Sequence, residues 1–116
     1  MVEDEMSLRL LASRALERCG YTVLQAGSGV AAIEVWKANQ DQIHLLLTDL
    51  VMPDGVSGFD LAKKLQSERP ELKVIYASGY CAAAGKGPPL IEGENFLQKP
   101  YSLHNIARTV RKCLDN

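Results

Sequence analysis

Apolar residues along this chain change their period repeatedly, and each change marks an element. Leu8, Leu11, Ala12, Ala15 and Leu16 recur at i, i+3, i+4, i+7 and i+8, one face of an amphipathic helix. Gly20 follows in the position where a left-handed cap is cheap. Thr22 to Ala26 reads as a short strand, and Ser28 can cap a second helix that buries Ala32, Ile33 and Trp36. Leu45-Leu46-Leu47-Thr48 is a continuous apolar run ending at Asp49, the pattern of a strand covered on both faces. Met52-Pro53-Asp54-Gly55 is a loop by its Pro and Gly content. Ser57 to Asp60 has capping-box-like spacing, and Phe59, Ala62 and Leu65 follow on one side of a third helix. Lys73 to Ala77 is another strand, and Asn95 to Leu97 begins a last one, closed by Lys99-Pro100. Ser102 caps a final helix through Leu103, Ile106, Ala107, Val110 and Leu114. Strand and helix alternate, which predicts an α/β fold with a parallel sheet and helices on both faces. Cys81 to Gly93 breaks the rhythm with Gly85, Gly87, Gly93 and Pro88-Pro89. An interior Gly costs roughly 1 kcal/mol relative to Ala and Pro about 3, so a short turn of helix at most is expected where a fourth helix is due.

Composition narrows the function classes. At 116 residues, 47% of them hydrophobic, the chain is one globular domain, 1–116. Thirteen Lys and Arg against 14 Asp and Glu leave a net charge of −1, without the basic field that nucleic-acid binding needs. The apolar runs are far too short for a membrane span, and the acidic start is unlike a signal peptide. Cys19, Cys81 and Cys113 are odd in number and widely spaced, as expected of reduced thiols in a cytoplasmic protein.

The chemistry gathers at one edge. In an open parallel sheet, ligands bind beyond the carboxyl ends of the strands. Glu3 and Asp4 stand where a first strand would end, Asp49 ends the apolar run, and Ser78 and Lys99 end the last two strands. Three carboxylates repel one another and call for a cation. Hard oxygen ligands suit Mg²⁺. An Asp beside Mg²⁺ can act as a nucleophile toward phosphorus, with the Lys99 ammonium and the Ser78 hydroxyl on the remaining phosphoryl oxygens.

The chain resembles the receiver domain of two-component response regulators almost end to end. The matching stretches are Val2-Glu3-Asp4-Glu5, Leu47 to Gly55, Ala77-Ser78-Gly79-Tyr80 and Phe96 to Tyr101. The resemblance implies a flavodoxin-like doubly wound sheet with strand order 2-1-3-4-5. It implies Asp49 as phosphoacceptor, with Mg²⁺ at Glu3, Asp4, Asp49 and the Val51 carbonyl, Asp4 the more direct ligand and Glu3 acting partly through water. Ser78 would be the switch hydroxyl and Phe96 the aromatic that swings inward with it. Lys99 would pair with the phosphoryl group and, before phosphorylation, with Asp49. The donor would be a histidine kinase or a histidine phosphotransfer protein. Val51 and Tyr80, two residues after Asp49 and Ser78, are expected to shield the acyl phosphate from water.

The chain departs from that family in two places. Receivers carry four or five apolar residues before the acidic pair, whereas only Met1 and Val2 precede Glu3 here. About four lost side chains at roughly 1.5–3 kcal/mol each rival the stability of a small domain, about 5–15 kcal/mol. Either residues upstream are missing, the favoured expectation, or the first strand is a stub compensated elsewhere, for instance by a neighbouring chain. The weak fourth helix remodels the face that usually carries output, and the Gly/Pro-rich segment resembles receivers attached to hybrid histidine kinases. The competing function is a metal-dependent phosphohydrolase with an aspartyl-phosphate intermediate. It needs a second acid two residues after the nucleophile, where this chain has Val51. Flavin binding on the same fold would place a phosphate against Glu3-Asp4-Glu5, which repel it.

Overall fold

The computed structural model describes residues 1–51, 56–79 and 90–115. The loop at Met52 to Gly55, Tyr80, Cys81 and most of the segment expected to hold a weak helix lie outside the described residues. Among the described residues four helices flank a parallel sheet: α1 (Met6–Arg18), α2 (Gly29–Asn39), α3 (Gly58–Glu68) and α4 (Leu103–Asp115). The strands are β1 (Leu45–Asp49), β2 (Lys73–Ser78) and β3 (Phe96–Gln98), side by side in that order. Leu45 pairs with Lys73 and Asp49 with Ala77, so the carboxyl ends of β1 and β2 finish level.

Alternation along each strand sends side chains to two separate apolar clusters. Leu46, Tyr76 and Phe96 join Ala32, Trp36, Leu61 and Leu65 beneath α2 and α3. Leu47, Ile75, Ala77 and Leu97 join Ala12, Leu16, Ile106 and Val110 beneath α1 and α4. The continuous apolar run in β1 is thus explained by burial on both sides. Three helix starts follow the sequence: Ser28, Ser57 and Ser102 hydroxyls accept from the backbone N–H of Ala31, Asp60 and Asn105 at 3.0–3.1 Å. Gly20 sits at φ +95°, the left-handed conformation expected after α1.

The first strand is reduced to a bridge. Val2 lies parallel between Ala26 and Thr48. Its N–H donates to the Leu47 carbonyl at 2.8 Å, and its carbonyl accepts from the Asp49 N–H at 3.1 Å. On the other side the Ala26 N–H donates to the Met1 carbonyl at 2.9 Å, and the Glu3 N–H to the Ala26 carbonyl at 3.0 Å. Counting these bridges, the order across the sheet is 2-1-3-4-5, the flavodoxin-like arrangement. Thr22 to Ala26 is not a full strand; only Ala26 is bridged, to Val2. Above Met1 the sheet is open. A cavity of about 410 Å³ separates residues 21–26 from β1, lined by Leu16, Val110 and Leu114 of one cluster and by Ala32, Val35 and Trp36 of the other.

Candidate functional site

The bridge at Val2 sets the next residue, Glu3, beside the end of β1. Glu3 is 2% exposed and Asp49 is 4% exposed. The backbone around Asp49 is held closely. Its carbonyl accepts from the Thr48 hydroxyl at 3.0 Å. The Gly58 N–H donates to the Leu50 carbonyl at 2.9 Å, and a Cβ on Gly58 would clash with the Asp49 carbonyl oxygen. Only glycine lets α3 begin this close to β1.

Lys99 enters from beyond β3. Its N–H donates to the Ser78 carbonyl at 2.8 Å, which ties it to the end of β2, and a cis peptide bond leads on to Pro100. Its ammonium stands 2.5 Å from Asp49 Oδ1 and 2.6 Å from Glu3 Oε1. Glu3 Oε2 also accepts the Glu5 N–H at 3.0 Å, and the Arg9 guanidinium donates to the Glu3 carbonyl at 2.7 Å.

Two buried carboxylates therefore share one ammonium. Burial pushes the Asp49 carboxyl up to about 7, with the neighbouring Glu3 adding to the rise and Lys99 opposing it. Burial also raises Glu3, but its hydrogen bonds with Asp49 and Lys99 outweigh that and hold it below its ordinary value. Desolvation lowers Lys99, yet its bonds to Asp49 and Glu3 leave it above the ordinary lysine range. The pocket thus carries more negative charge than one lysine neutralises.

Carboxylate oxygens of Glu3, Asp4 and Asp49 lie within 4.8 Å of one another. This all-oxygen donor set with surplus negative charge fits one hard divalent cation.

Of the residues singled out in the sequence, Glu3, Asp4, Asp49 and Lys99 come together in one pocket, with Asp4 on its exposed side. Ser78 is buried at the end of β2, beside them in register. Val51 follows β1 and is 69% exposed. Phe96 does not line the pocket group; it pairs with Tyr76 in the ladder and is already inside the apolar cluster beneath α2 and α3. The Lys99–Glu3 pair, Arg9 and Tyr101 carried no assigned role in the sequence. Tyr101 is pushed up to about 12 by burial and then by the charge on Glu3; its place directly after Lys99-Pro100 was the available signal. Trp36 lies far from the pocket, its indole N–H donating to Glu68 Oε1 at 3.3 Å. Both histidines are exposed.

A family model described as the response regulator receiver domain matches residues 1–111. The sensor kinase CckA of Brucella abortus is 37% identical over 116 residues, covering 99% of this chain and 12% of that protein. The response regulator receiver protein CpdR of the same organism is 30% identical over 115 residues, covering 98% and 93%. The crystal structure of the receiver domain from the hybrid histidine kinase CckA aligns with a TM-score of 0.79 at 34% identity, over 97% of this chain and 94% of that one. A response regulator receiver protein from Sinorhizobium medicae aligns with a TM-score of 0.83 at 26% identity, over 98% and 90%. The chain therefore spans a small part of one relative and nearly all of another.

Proposed function

Because the chain belongs to the response regulator receiver domain family, whose work is phosphorelay signal transduction, we propose that Asp49 is its phosphoacceptor. A carboxylate oxygen of Asp49 attacks the phosphorus of a phosphohistidine. The new P–O bond forms as the P–N bond breaks, and the electron pair leaves with the donor imidazole. Glu3, Asp4, Asp49 and the Val51 carbonyl would hold Mg²⁺, which when bound would supply positive charge to the phosphoryl oxygens. Lys99 turns its ammonium from Asp49 to a phosphoryl oxygen, and the Ser78 hydroxyl donates to another. The added charge biases a two-state equilibrium through Ser78 and Phe96. Since Phe96 is already buried, its part is a repacking inside the cluster and not an entry from solvent.

The observation that carries this reading is the Asp49 carboxylate, buried at a strand end and shared with Glu3 across one ammonium. The donor is a histidine kinase or a histidine phosphotransfer protein, in line with the sensor-kinase relative. Val51, where a phosphohydrolase needs a proton donor, supports self-limited phosphorylation and hydrolysis without turnover of an outside substrate. Among the described residues no helix is long and apolar enough to cross a membrane; the free thiols of Cys19 and Cys113 support a cytoplasmic site of action. Incubation with Mg²⁺ and acetyl phosphate, followed by intact mass spectrometry, should add one phosphoryl group. Asp49→Asn should abolish it; equal labelling of that variant would refute the assignment.

A further inference from the structure

Asp4 is held at the acidic pocket through its backbone. Its carboxylate stands with those of Glu3 and Asp49, yet the residue is exposed, and among the described residues that carboxylate makes no hydrogen bond or ion pair. The two peptide groups that flank Asp4 are each fastened by a side chain. The N–H of the Asp4–Glu5 peptide donates to Glu3 Oε2 at 3.0 Å. The carbonyl of the Glu3–Asp4 peptide accepts from Arg9 Nη1 at 2.7 Å. Glu5, at the N-cap of α1, supplies no side-chain cap of its own, so the entry to the helix rests on these bonds. Arg9 lies one turn into α1, where its N–H donates to the Glu5 carbonyl at 2.9 Å. Helical side chains lean toward the N-terminus, which carries the guanidinium back over that turn to Glu3. Gly27 bounds it on the other side. A Cβ there would stand 3.0 Å from Arg9 Nη1 and 3.8 Å from Cζ, and beyond its chain neighbours would meet no other described atom within 4 Å. The guanidinium is thus wedged between the loop that opens α1 and the loop that opens α2.

We infer that Arg9 is a positioning residue for the divalent-cation site: by fixing the Glu3 carbonyl it fixes the peptide plane from which the Asp4 side chain springs, with Gly27 left bare to admit its guanidinium. The inference rests on the reading of Glu3, Asp4 and Asp49 as the acids that hold Mg²⁺. A peptide group is rigid, so holding its carbonyl oxygen also sets the direction of the next Cα. The charge of Arg9 works the other way, because a guanidinium beside the acids repels a divalent cation. Removing Arg9 therefore has opposite signs by the two effects. Loss of positioning weakens metal binding, and loss of charge tightens it. Groups that orient metal ligands are worth about 10–100-fold in affinity, so positioning should dominate.

The test is calorimetric titration of Mg²⁺ into the whole chain at pH 8. Arg9→Met should raise Kd by about tenfold or more. Arg14→Met, which removes the same charge from an exposed position of the same helix, should leave Kd where it was. In acetyl-phosphate labelling, the Mg²⁺ concentration that gives half the maximal rate should rise with Kd, and carry more of the effect than the rate at saturation. Gly27→Ala keeps Arg9 but crowds its guanidinium off the Glu3 carbonyl. It should raise Kd by a smaller factor, and by nothing further when combined with Arg9→Met. If Arg9→Met does not fold, Gly27→Ala decides alone, and an unchanged Kd there would refute the assignment. An unchanged or lower Kd in Arg9→Met would overturn it as well, as would an equal loss in Arg14→Met or an equal effect of Gly27→Ala in both backgrounds. Wild-type protein that takes up no Mg²⁺ at millimolar concentration would overturn the metal reading and this inference together; wild-type binding with an unaffected Arg9→Met would overturn this inference alone.

Discussion

Lys99 compensates two buried carboxylates at once, and its removal leaves both without a cation. Breaking a buried ion pair by deleting one partner costs about 3–5 kcal/mol. Lys99→Met should therefore lose about 3 kcal/mol in urea unfolding at pH 8 without Mg²⁺. The loss should shrink at pH 5, where Asp49 takes up a proton, and also on adding Mg²⁺ at pH 8. Metal affinity carries the complementary sign. Asp49 titrates near 7 in the folded protein, and the metal needs its ionised form. As pH falls below 7 the proton competes, so the apparent Kd for Mg²⁺ should rise by up to about tenfold per pH unit. Calorimetry in buffers of different ionisation enthalpy should show close to one proton released per ion bound at pH 6. Asp49→Asn should flatten this dependence. The sequence disclosed the acids, because carboxylates at strand ends follow from chain order. It could not disclose that Glu3 shares the Lys99 ammonium, since that depends on how the Val2 bridge turns the next side chain inward.

Elements with strong periodicity were legible: all four described helices, and the strands ending at Asp49 and Ser78, lie where the apolar pattern puts them. Of the strand expected over Thr22 to Ala26, Ala26 alone is bridged, to Val2. Phe96 was read as the aromatic that swings inward with Ser78; in this structure it pairs with Tyr76 in the ladder and lies inside the cluster beneath α2 and α3. The start of α3 shows a contact that no pattern reveals. Gly58 is silent in a hydrophobic profile, yet its missing Cβ lets α3 close on the Asp49 carbonyl. Gly58→Ala should cost about 1–3 kcal/mol by overpacking. It should also slow phosphorylation at least tenfold, because displacing a reacting group by about 1 Å costs on the order of a hundredfold. Chemical denaturation and the rate of acetyl-phosphate labelling measure the two effects separately.

The whole molecule is unevenly built. β2 sits between two strands and under both apolar clusters, while residues 22–25 stand in no strand and border the cavity. Local stability should follow that asymmetry. Amides of Ile75, Tyr76 and Ala77 should exchange with deuterium only at the rate of global unfolding, and those of Val23 and Gln25 orders of magnitude faster. Equal protection of the two regions would show that the open flank is no weaker than the centre. At the far end from the pocket, Arg69 donates to the Gln40 and Ile43 carbonyls at 2.6 and 2.7 Å, and Glu68 accepts from both Trp36 and Gln40. These bonds join the end of α2 to the end of α3 and brace the wall that Trp36 presents to the opening. Severing them at Glu68 would therefore loosen the ends of both helices together, while the acidic rim at the opposite end of the strands kept its shape.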